Sequence, residues 1–217
     1  RYSTRITTGV NRKKFMDTDA IQYLDHEFAY TFELAGHHKG LRWEAAYIAR
    51  KPFVDNAKWE AKVGEAPNMQ QAWGWYVQAG YLLFGGSQNY DAGGAKYTRT
   101  NNGRNWGDIE LCARVEYLDL NISKYVMGGS AYAYSLGLNF HVTRNVKFQI
   151  NYQYNDQDVF ANGKGAQDGT DKTAKKPYST GYDANGNVCA YPGDILNGGS
   201  GKGIDYHMIA CRFQVAF

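Results

Sequence analysis

The chain has 217 residues and a net charge of +3, a size that fits one domain or a large part of one. The basic residues are dispersed and form no long run, which argues against a nucleic-acid-binding protein. Mean hydropathy is −0.57, and no run reaches the ~18 apolar residues that a membrane-spanning helix requires. Secondary structure therefore has to be sought in local patterns of side chains.

Alternation of apolar and polar side chains is the main pattern in the sequence. In residues 145–155 every second position is apolar: Val146, Phe148, Ile150, Tyr152 and Tyr154 alternate with Lys147, Gln149, Asn151, Gln153 and Asn155. A period of two over so many residues predicts a β-strand with one apolar and one polar face. Residues 132–142 show the same pattern, and only a short turn at 143–145 separates the two runs, which predicts a hairpin.

Six further segments alternate in the same way, although the first of them does so weakly. The predicted strands cover residues 2–9, 27–35, 41–50, 73–83, 108–120, 132–142, 145–155 and 205–217. Most of them have the ~9–11 residues that a tilted strand needs to cross a bilayer. We expect little helix, at most a turn or two within residues 17–24.

Three long connections, at residues 51–71, 84–107 and 156–204, contrast with short turns elsewhere. Outer-membrane barrels have short periplasmic turns and longer outer loops. If the C-terminus is periplasmic, residues 51–71 and 156–204 are outer loops, whereas 84–107 falls on the periplasmic side despite its length. Either a strand near residues 95–100 has escaped detection, or this connection folds inward.

The aromatic residues favour a barrel in lipid over a soluble sandwich. Tyr and Trp occur near the strand ends, where rings with a polar tip suit the headgroup level: Trp73, Trp75, Tyr132, Tyr134, Tyr152 and Tyr154. The chain ends in an alternating Phe213, Val215 and Phe217, which is typical of the closing strand that the outer-membrane assembly machinery recognises. We therefore predict an all-β fold, an antiparallel transmembrane β-barrel of outer-membrane type with about eight strands in this chain.

Several segments between residues 73 and 217 resemble the phosphate-selective porin O and P family in their order and spacing. They are WYVQAGY at 75–81, ELCARVEYLDL at 110–120, SLGLNF at 135–140, NVKFQINY at 145–152 and FQVAF at 213–217. The resemblance implies a sixteen-stranded barrel, commonly a homotrimer, that conducts anions along basic residues in its lumen. Residues 1–217 would then be the C-terminal half of the barrel rather than a complete domain, and long connections such as 84–107 would narrow the lumen.

Charged residues on the polar faces are the candidate pore-lining residues. The basic set is Arg5, Arg42, Arg50, Arg114, Lys147 and Arg212 on the strands, with Lys96, Arg99 and Arg104 on the connection 84–107. Basic rings in a narrow pore favour anions, and a planar guanidinium suits phosphate. The acidic set on the same faces is Glu27, Glu33, Glu44, Glu110 and Glu116. Cross-strand pairing of the two sets would instead give a rigid wall with little selectivity, so the selectivity stays open.

No arrangement of residues indicates catalysis, a cofactor or a metal site. The five His residues share no metal-binding spacing, and the three Cys residues form no CxxC pair. We expect a porin rather than an enzyme, located in the outer membrane of a Gram-negative bacterium. Its expected partners are membrane lipid, the assembly machinery, further copies in a homotrimer, and anions or small solutes, but no nucleic acid.

Two other functions remain open on the residues alone. A stand-alone eight-stranded barrel with a structural or adhesive role would need a lumen filled by side chains. Small residues on the predicted lumenal side, such as Gly74, Gly80 and Ala133, favour a wider barrel. A soluble carbohydrate-binding β-domain would also have alternating strands, but it would fold without detergent.

Overall fold

The computed structural model describes residues 1–4, 16–18, 20–158, 160–161, 181–182, 197–198 and 205–216. Seven long strands form one sheet within this part of the chain: β1 (Leu24–His38), β2 (Leu41–Val54), β3 (Ala72–Leu82), β4 (Asp108–Ser123), β5 (Val126–His141), β6 (Val146–Gln157) and β7 (Tyr206–Val215). Each strand is antiparallel to its neighbours, and the order in the sheet follows the order in the chain. This confirms the predicted all-β, antiparallel, barrel-type fold. β1 and β7 form the two edges, and within the described residues they are not paired with each other.

The predicted first strand, residues 2–9, does not join this sheet where the structure describes it. Ser3–Thr4 pairs with Met16–Asp17 instead, and residues 5–9 lie outside the described residues. The described sheet therefore has seven long strands where the sequence predicted eight. The other two-residue pairs are Tyr90–Asp91 with Lys96–Tyr97 and Gly181–Tyr182 with Asn197–Gly198.

Several strands extend beyond their predicted limits, most clearly β5, which begins at Val126 rather than at residue 132. Gly128 and Gly129 interrupt the apolar alternation there, so the pattern hides the start of the strand. Both positions require glycine. A Cβ atom at Gly128 would lie 2.6 Å from Thr18 and 2.7 Å from Leu120, and Gly129 has a φ of 89°.

The cross-strand register gives the sheet one apolar and one polar face. Residues directly opposite each other share a face, so Trp75 opposite Tyr117, and Tyr117 opposite Tyr132, continue the apolar face across three strands. Gln78 opposite Arg114 continues the polar face. Many apolar side chains of the first face are exposed, and they form a surface that soluble monomers rarely show: Phe28, Phe32, Leu34, Val77, Leu111, Leu136, Leu138, Ile209 and Phe213.

The connection between β2 and β3 contains α1 (Asn56–Val63), the one helix within the described residues. Asp55 caps its N-terminus by accepting a hydrogen bond from the backbone N–H of Lys58 (3.2 Å), and Gly64 ends it with a φ of 86°. The described residues within 17–24 form no helix, and residues 22–23 form a turn. No helix in the described part of the chain is both long and apolar enough to cross a bilayer. We call the end of the sheet next to α1 the helix end, and the opposite end, where β1 joins β2, the turn end.

A small hydrophobic core lies at the helix end. Trp59 of α1 packs against Tyr125 in the turn between β4 and β5, with ring centroids 5.7 Å apart. Glu65 accepts a hydrogen bond from the Tyr125 hydroxyl and forms an ion pair with Lys124. The hydrogen bonds from Lys124 and Tyr125 lower the pKa of the Glu65 carboxyl. We call this group the helix-end cap, and its buried apolar members are Met16, Ile21, Trp59, Met69, Ala72, Leu120, Ile122, Tyr125, Val126, Ala131, Ala133 and Ala161.

Two bands of aromatic rings border the apolar face. At the helix end, neighbouring rings lie 4.5–6.3 Å apart across all seven long strands: Tyr30, Tyr47, Trp73, Tyr117, Tyr132, Tyr134, Tyr154 and His207. At the turn end, Trp106 contacts Phe84 and Phe140. From Tyr132 to Phe140 the strand rises by ~27 Å, which a tilt of ~35–45° reduces to ~20 Å. This is comparable to the ~25 Å apolar band of an outer-membrane barrel.

Candidate functional site

The polar face of the sheet carries the charged residues that the sequence predicted as pore-lining. Every described strand residue of the two predicted sets lies on it: Arg42, Arg50, Arg114, Lys147, Arg212, Glu27, Glu33, Glu44, Glu110 and Glu116. Arg5 lies outside the described residues, as does Phe217 of the predicted assembly signal. That these side chains line a pore stays a prediction, but the structure shows which of them contact one another.

Glu110, a buried carboxylate, organises the polar face near the turn end. Its side chain is 2% exposed and accepts hydrogen bonds from Arg42 Nε (2.6 Å), Gln88 Nε2 (2.9 Å) and Asn139 Nδ2 (2.8 Å). A ring nitrogen of His141 lies 3.4 Å from the same carboxylate. These partners satisfy a charge whose burial would otherwise be costly. Arg42 is therefore committed to Glu110 rather than available to a solute.

Gly80 provides the space for this ion pair. A Cβ atom at Gly80 would lie 2.6 Å from Glu110 Oε1 and 3.0 Å from Arg42 Nε, so a side chain would force the pair apart. Cys112 lies directly opposite Gly80 on β4. Its sulfur accepts hydrogen bonds from Arg42 (3.7 Å) and Asn139 (3.2 Å), which places the thiol inside the Glu110 network.

Arg114 is the centre of a second cluster. Its guanidinium donates to Glu116 Oε2 (2.6 Å) and Gln78 Oε1 (2.9 Å), and it lies over the ring of Tyr76, 4.0 Å from the centroid. Glu44 accepts hydrogen bonds from the Tyr76 hydroxyl and from Gln78 Nε2 (3.1 Å). Because two carboxylates accompany one guanidinium, this cluster has no net positive charge.

The N-terminal segment lies on the polar face at the helix end. Arg1 forms an ion pair with the buried Asp17. The Tyr2 hydroxyl donates to Glu27 Oε2 (2.9 Å), and the same carboxylate pairs with Arg50 (3.2 Å). A cavity of about 630 Å³ lies between this segment and the sheet. The segment thus occupies space on the polar side, and the strand residue Glu27 neutralises a third basic residue of the predicted set, Arg50.

Lys147 and Arg212 differ from the other Lys and Arg residues that the long strands carry on the described polar face. Arg42, Arg50 and Arg114 each form an ion pair, whereas Lys147 and Arg212 form none with a described residue. They lie diagonally across from each other on the neighbouring strands β6 and β7, near the turn end. Within the described residues they are therefore the polar-face strand cations that have no carboxylate partner.

The connection between β3 and β4 folds onto the polar face at the turn end. The buried carboxylate of Asp108 accepts hydrogen bonds from the backbone N–H groups of Phe84 (3.1 Å), Gly86 (2.9 Å), Gly103 (2.9 Å) and Ile109 (2.8 Å). One side chain therefore ties both ends of the connection to the start of β4. This arrangement agrees with the expectation of an inward-folded connection.

Tyr97 holds the middle of this connection against the sheet. Its hydroxyl lies 2.6 Å from the backbone oxygen of Gly36 and 2.7 Å from that of Trp43, and its ring centroid is 5.6 Å from the Arg42 guanidinium. In place of the strand suggested near residues 95–100, the two residues Lys96–Tyr97 pair with Tyr90–Asp91. This pair is not part of the seven-stranded sheet, and that the connection folds into a lumen stays a prediction.

The three predicted basic residues of the connection are not brought together. Arg99 donates to Asn145 Oδ1 (2.9 Å), Lys96 lies opposite Asp91 in the short strand pair, and Arg104 lies in the turn that closes the connection. None of them forms an ion pair with a strand residue in the described part of the chain. They add positive charge near the turn end without forming a common site.

A cavity of about 360 Å³ lies on the polar face between the Glu110 and Arg114 clusters. Most of its polar lining consists of carboxamide and hydroxyl side chains: Gln78, Ser135, Asn139, Gln149, Asn151 and Gln153. Arg42, Arg114 and Glu44 supply the charged part, and Tyr97 supplies an aromatic ring. No group of His, Cys, Asp and Glu within the described residues has the arrangement of a metal site. We call this space the amide cavity.

Known proteins share sequence features with this chain. Residues 11–174, about three quarters of it, match the family described as phosphate-selective porin O and P. An uncharacterized protein of Caulobacter vibrioides is 30% identical over 119 residues, which are 53% of this chain but 24% of that protein. The chain thus spans about a quarter of the length of this relative. The match agrees with the two-faced antiparallel sheet, and the chain belongs to the phosphate-selective porin O and P family.

Proposed function

We propose that this chain forms part of the wall of an outer-membrane porin, through which small polar solutes diffuse across the outer membrane of a Gram-negative bacterium. The two-faced sheet carries the proposal, because its apolar face is continuous, exposed and bordered by aromatic bands while its other face is polar. Such a sheet suits lipid on one side and water on the other. Family membership supports a channel rather than an enzyme.

Anions are the solutes that we expect this channel to favour. Ion pairs neutralise three basic strand residues, which leaves Lys147 and Arg212 near the turn end, with Arg99 on the inward connection. Cations without a paired carboxylate favour the entry of anions into a narrow pore, and the planar fork of Arg212 suits phosphate. Because the described strand residues of the predicted acidic set equal those of the predicted basic set in number, we expect the preference to be modest.

The reversal potential of the complete protein in planar bilayers under a KCl gradient tests this preference. We expect an anion-selective sign, and we expect Lys147→Gln combined with Arg212→Gln to shift the permeability ratio severalfold toward potassium. Lys51→Gln is the control, because it removes one positive charge from the apolar face and should leave the ratio unchanged. A cation-selective wild-type channel would contradict the anion preference. A protein that inserts into the bilayer but does not conduct ions would contradict the proposed porin function.

Two partners follow from the same proposal. We propose that the channel is a homotrimer, as the family resemblance implies, and that Phe213 and Val215 belong to the signal for the assembly machinery. In support of the signal, both side chains lie on the apolar face of the edge strand β7. The mass of the detergent-solubilised protein tests the oligomeric state.

The alternatives raised by the sequence have less support. A stand-alone eight-stranded barrel would have to close on itself, whereas within the described residues the sheet has seven long strands and its two edge strands are not paired with each other. A soluble carbohydrate-binding domain would have to keep its broad apolar face in water, which is unfavourable. A chain that stays folded and monodisperse in detergent-free buffer would favour the soluble domain.

A further inference from the structure

We propose that the amide cavity binds a neutral, polyhydroxylated solute of about the size of a monosaccharide as it passes through the pore. This inference rests on the proposed porin function and names a solute class for one site within it. It differs from the expectation of anion transport, because the residues that line this cavity have a chemistry unlike that of an anion site.

The lining side chains match hydroxyl groups in hydrogen-bonding character. A carboxamide or a hydroxyl both donates and accepts hydrogen bonds, and six such side chains surround the cavity. A sugar hydroxyl also does both, so each lining group finds a partner of either kind. The ionised oxygens of a phosphate only accept, so most of the carboxamide oxygens beside it would lose their partners. The lining therefore favours the neutral polyol over the anion.

The charges around the cavity do not attract an anion. Arg42 is hydrogen-bonded to Glu110 at 2.6 Å, and Arg114 is hydrogen-bonded to Glu116 at 2.6 Å. Glu44 also lines the cavity. Three carboxylates therefore lie beside two guanidinium groups, and a phosphate dianion entering here would meet a site without excess positive charge.

Several lining groups have unused hydrogen-bonding capacity. Within the described residues, the side chains of Ser135 and Asn151 form no hydrogen bond to the protein, and Gln149 uses its amide nitrogen to donate to Asn139 (2.6 Å). Gly137 leaves space for the Asn151 amide, because a Cβ atom there would lie 2.4 Å from Asn151 Oδ1. Unused donors and acceptors that converge on one space are what a hydroxylated solute requires.

The size and border of the cavity fit the same class of solute. Its volume of about 360 Å³ lies within the ~300–1,000 Å³ of typical small-molecule sites. Tyr97 borders it with a ring that is fixed by the backbone oxygens of Gly36 and Trp43. An immobilised aromatic ring can pack on the apolar side of a sugar ring. The cavity thus offers both polar and apolar contacts to one solute.

Titration of the KCl conductance with glucose tests the proposal. We expect glucose to reduce the current through the complete protein saturably, and we expect Gln149→Leu with Asn151→Leu to raise the half-blocking concentration about tenfold. Gln214→Leu is the matched control, since it alters an amide on the same face outside the cavity. Insertion into the bilayer with a measurable KCl conductance shows that a variant has folded. Ser135→Ala, which removes one oxygen, is the second variant if the double variant does not insert.

Each outcome bears on the proposal. A conducting channel that glucose does not block would overturn the sugar site while leaving the porin intact. Equal block in wild type and both cavity variants would also overturn it, because the sugar would then bind elsewhere. Inorganic phosphate that blocks more strongly than glucose, with the same sensitivity to the cavity variants, would assign the cavity to anions. Absence of any conductance would overturn the porin and the site together.

Discussion

Single residues decide how charge is arranged on the polar face. Arg42 and Glu110 lie 68 positions apart in sequence, on strands β2 and β4 that are not adjacent. They meet across β3 because Gly80, the residue between them, has no side chain. Alternation predicts that all three residues share a face, but it contains no information on which strands are neighbours. Alternation in the sequence therefore predicts the polar face, but it does not predict the ion pairs or the amide cavity.

Glu65 in the helix-end cap gives a pH prediction. Hydrogen bonds from Lys124 and Tyr125 lower its pKa below the ordinary 4.5 in the folded protein. Its stabilising contribution is therefore complete above pH 4.5 and is lost as the pH falls through the lower folded value. We expect the fluorescence of Trp59, identified by its loss in Trp59→Phe, to change in this acid range, and Glu65→Gln to abolish the change. Glu60→Gln, a control in the same helix, should retain it, and a change that persists in Glu65→Gln would contradict the assignment.

The strands and the helix differ in how well the sequence predicts them. A period of two that persists over ten or so residues identifies a strand, and the long strands after residue 24 were found in this way. α1 was missed because its eight residues show little more than two turns of a helical period. Asp55 and Gly64 were signals that could have located it, as an N-cap and a C-terminal glycine. Residues 2–9 also alternate, but alternation does not identify the strand with which they pair.

The connection between β3 and β4 has one anchor that a substitution can remove. Asp108→Ala removes the acceptor of four backbone N–H groups, and the buried one of Gly86 alone costs about 1–3 kcal/mol, so we expect the connection to leave the polar face. Single-channel conductance should rise, and trypsin should cut after Lys96, Arg99 or Arg104. Asp91→Ala is the control, since Asp91 accepts hydrogen bonds only within its own turn. Unchanged conductance and protease resistance in Asp108→Ala would show that other contacts hold the connection.

Lysine substitutions on the two faces of the sheet can test whether the apolar face contacts lipid. Leu136 lies on the apolar face midway between the aromatic bands, and 58% of it is exposed. If this face contacts lipid, Leu136→Lys should destabilise the folded protein by about 2–4 kcal/mol, the cost of a lysine at the bilayer centre. Ser135→Lys, one position away on the polar face, should cost much less. Denaturant titration of the protein in lipid vesicles measures both values, and equal costs would argue against a lipid-facing surface.

The order of the sheet has a consequence for the kinetics of folding. Within the described residues, each long strand is hydrogen-bonded only to the long strands next to it in the chain, so hairpins can be added one after another with little loss of loop entropy at each step. The edges β1 and β7 are the most distant strands of this sheet, and whatever pairs with them forms the least local contacts. We therefore expect the sealing of the barrel to be the slow step. Until that step is complete, two rows of free N–H and C=O groups are open to other chains, which makes the delay before closure the period in which aggregation competes with folding.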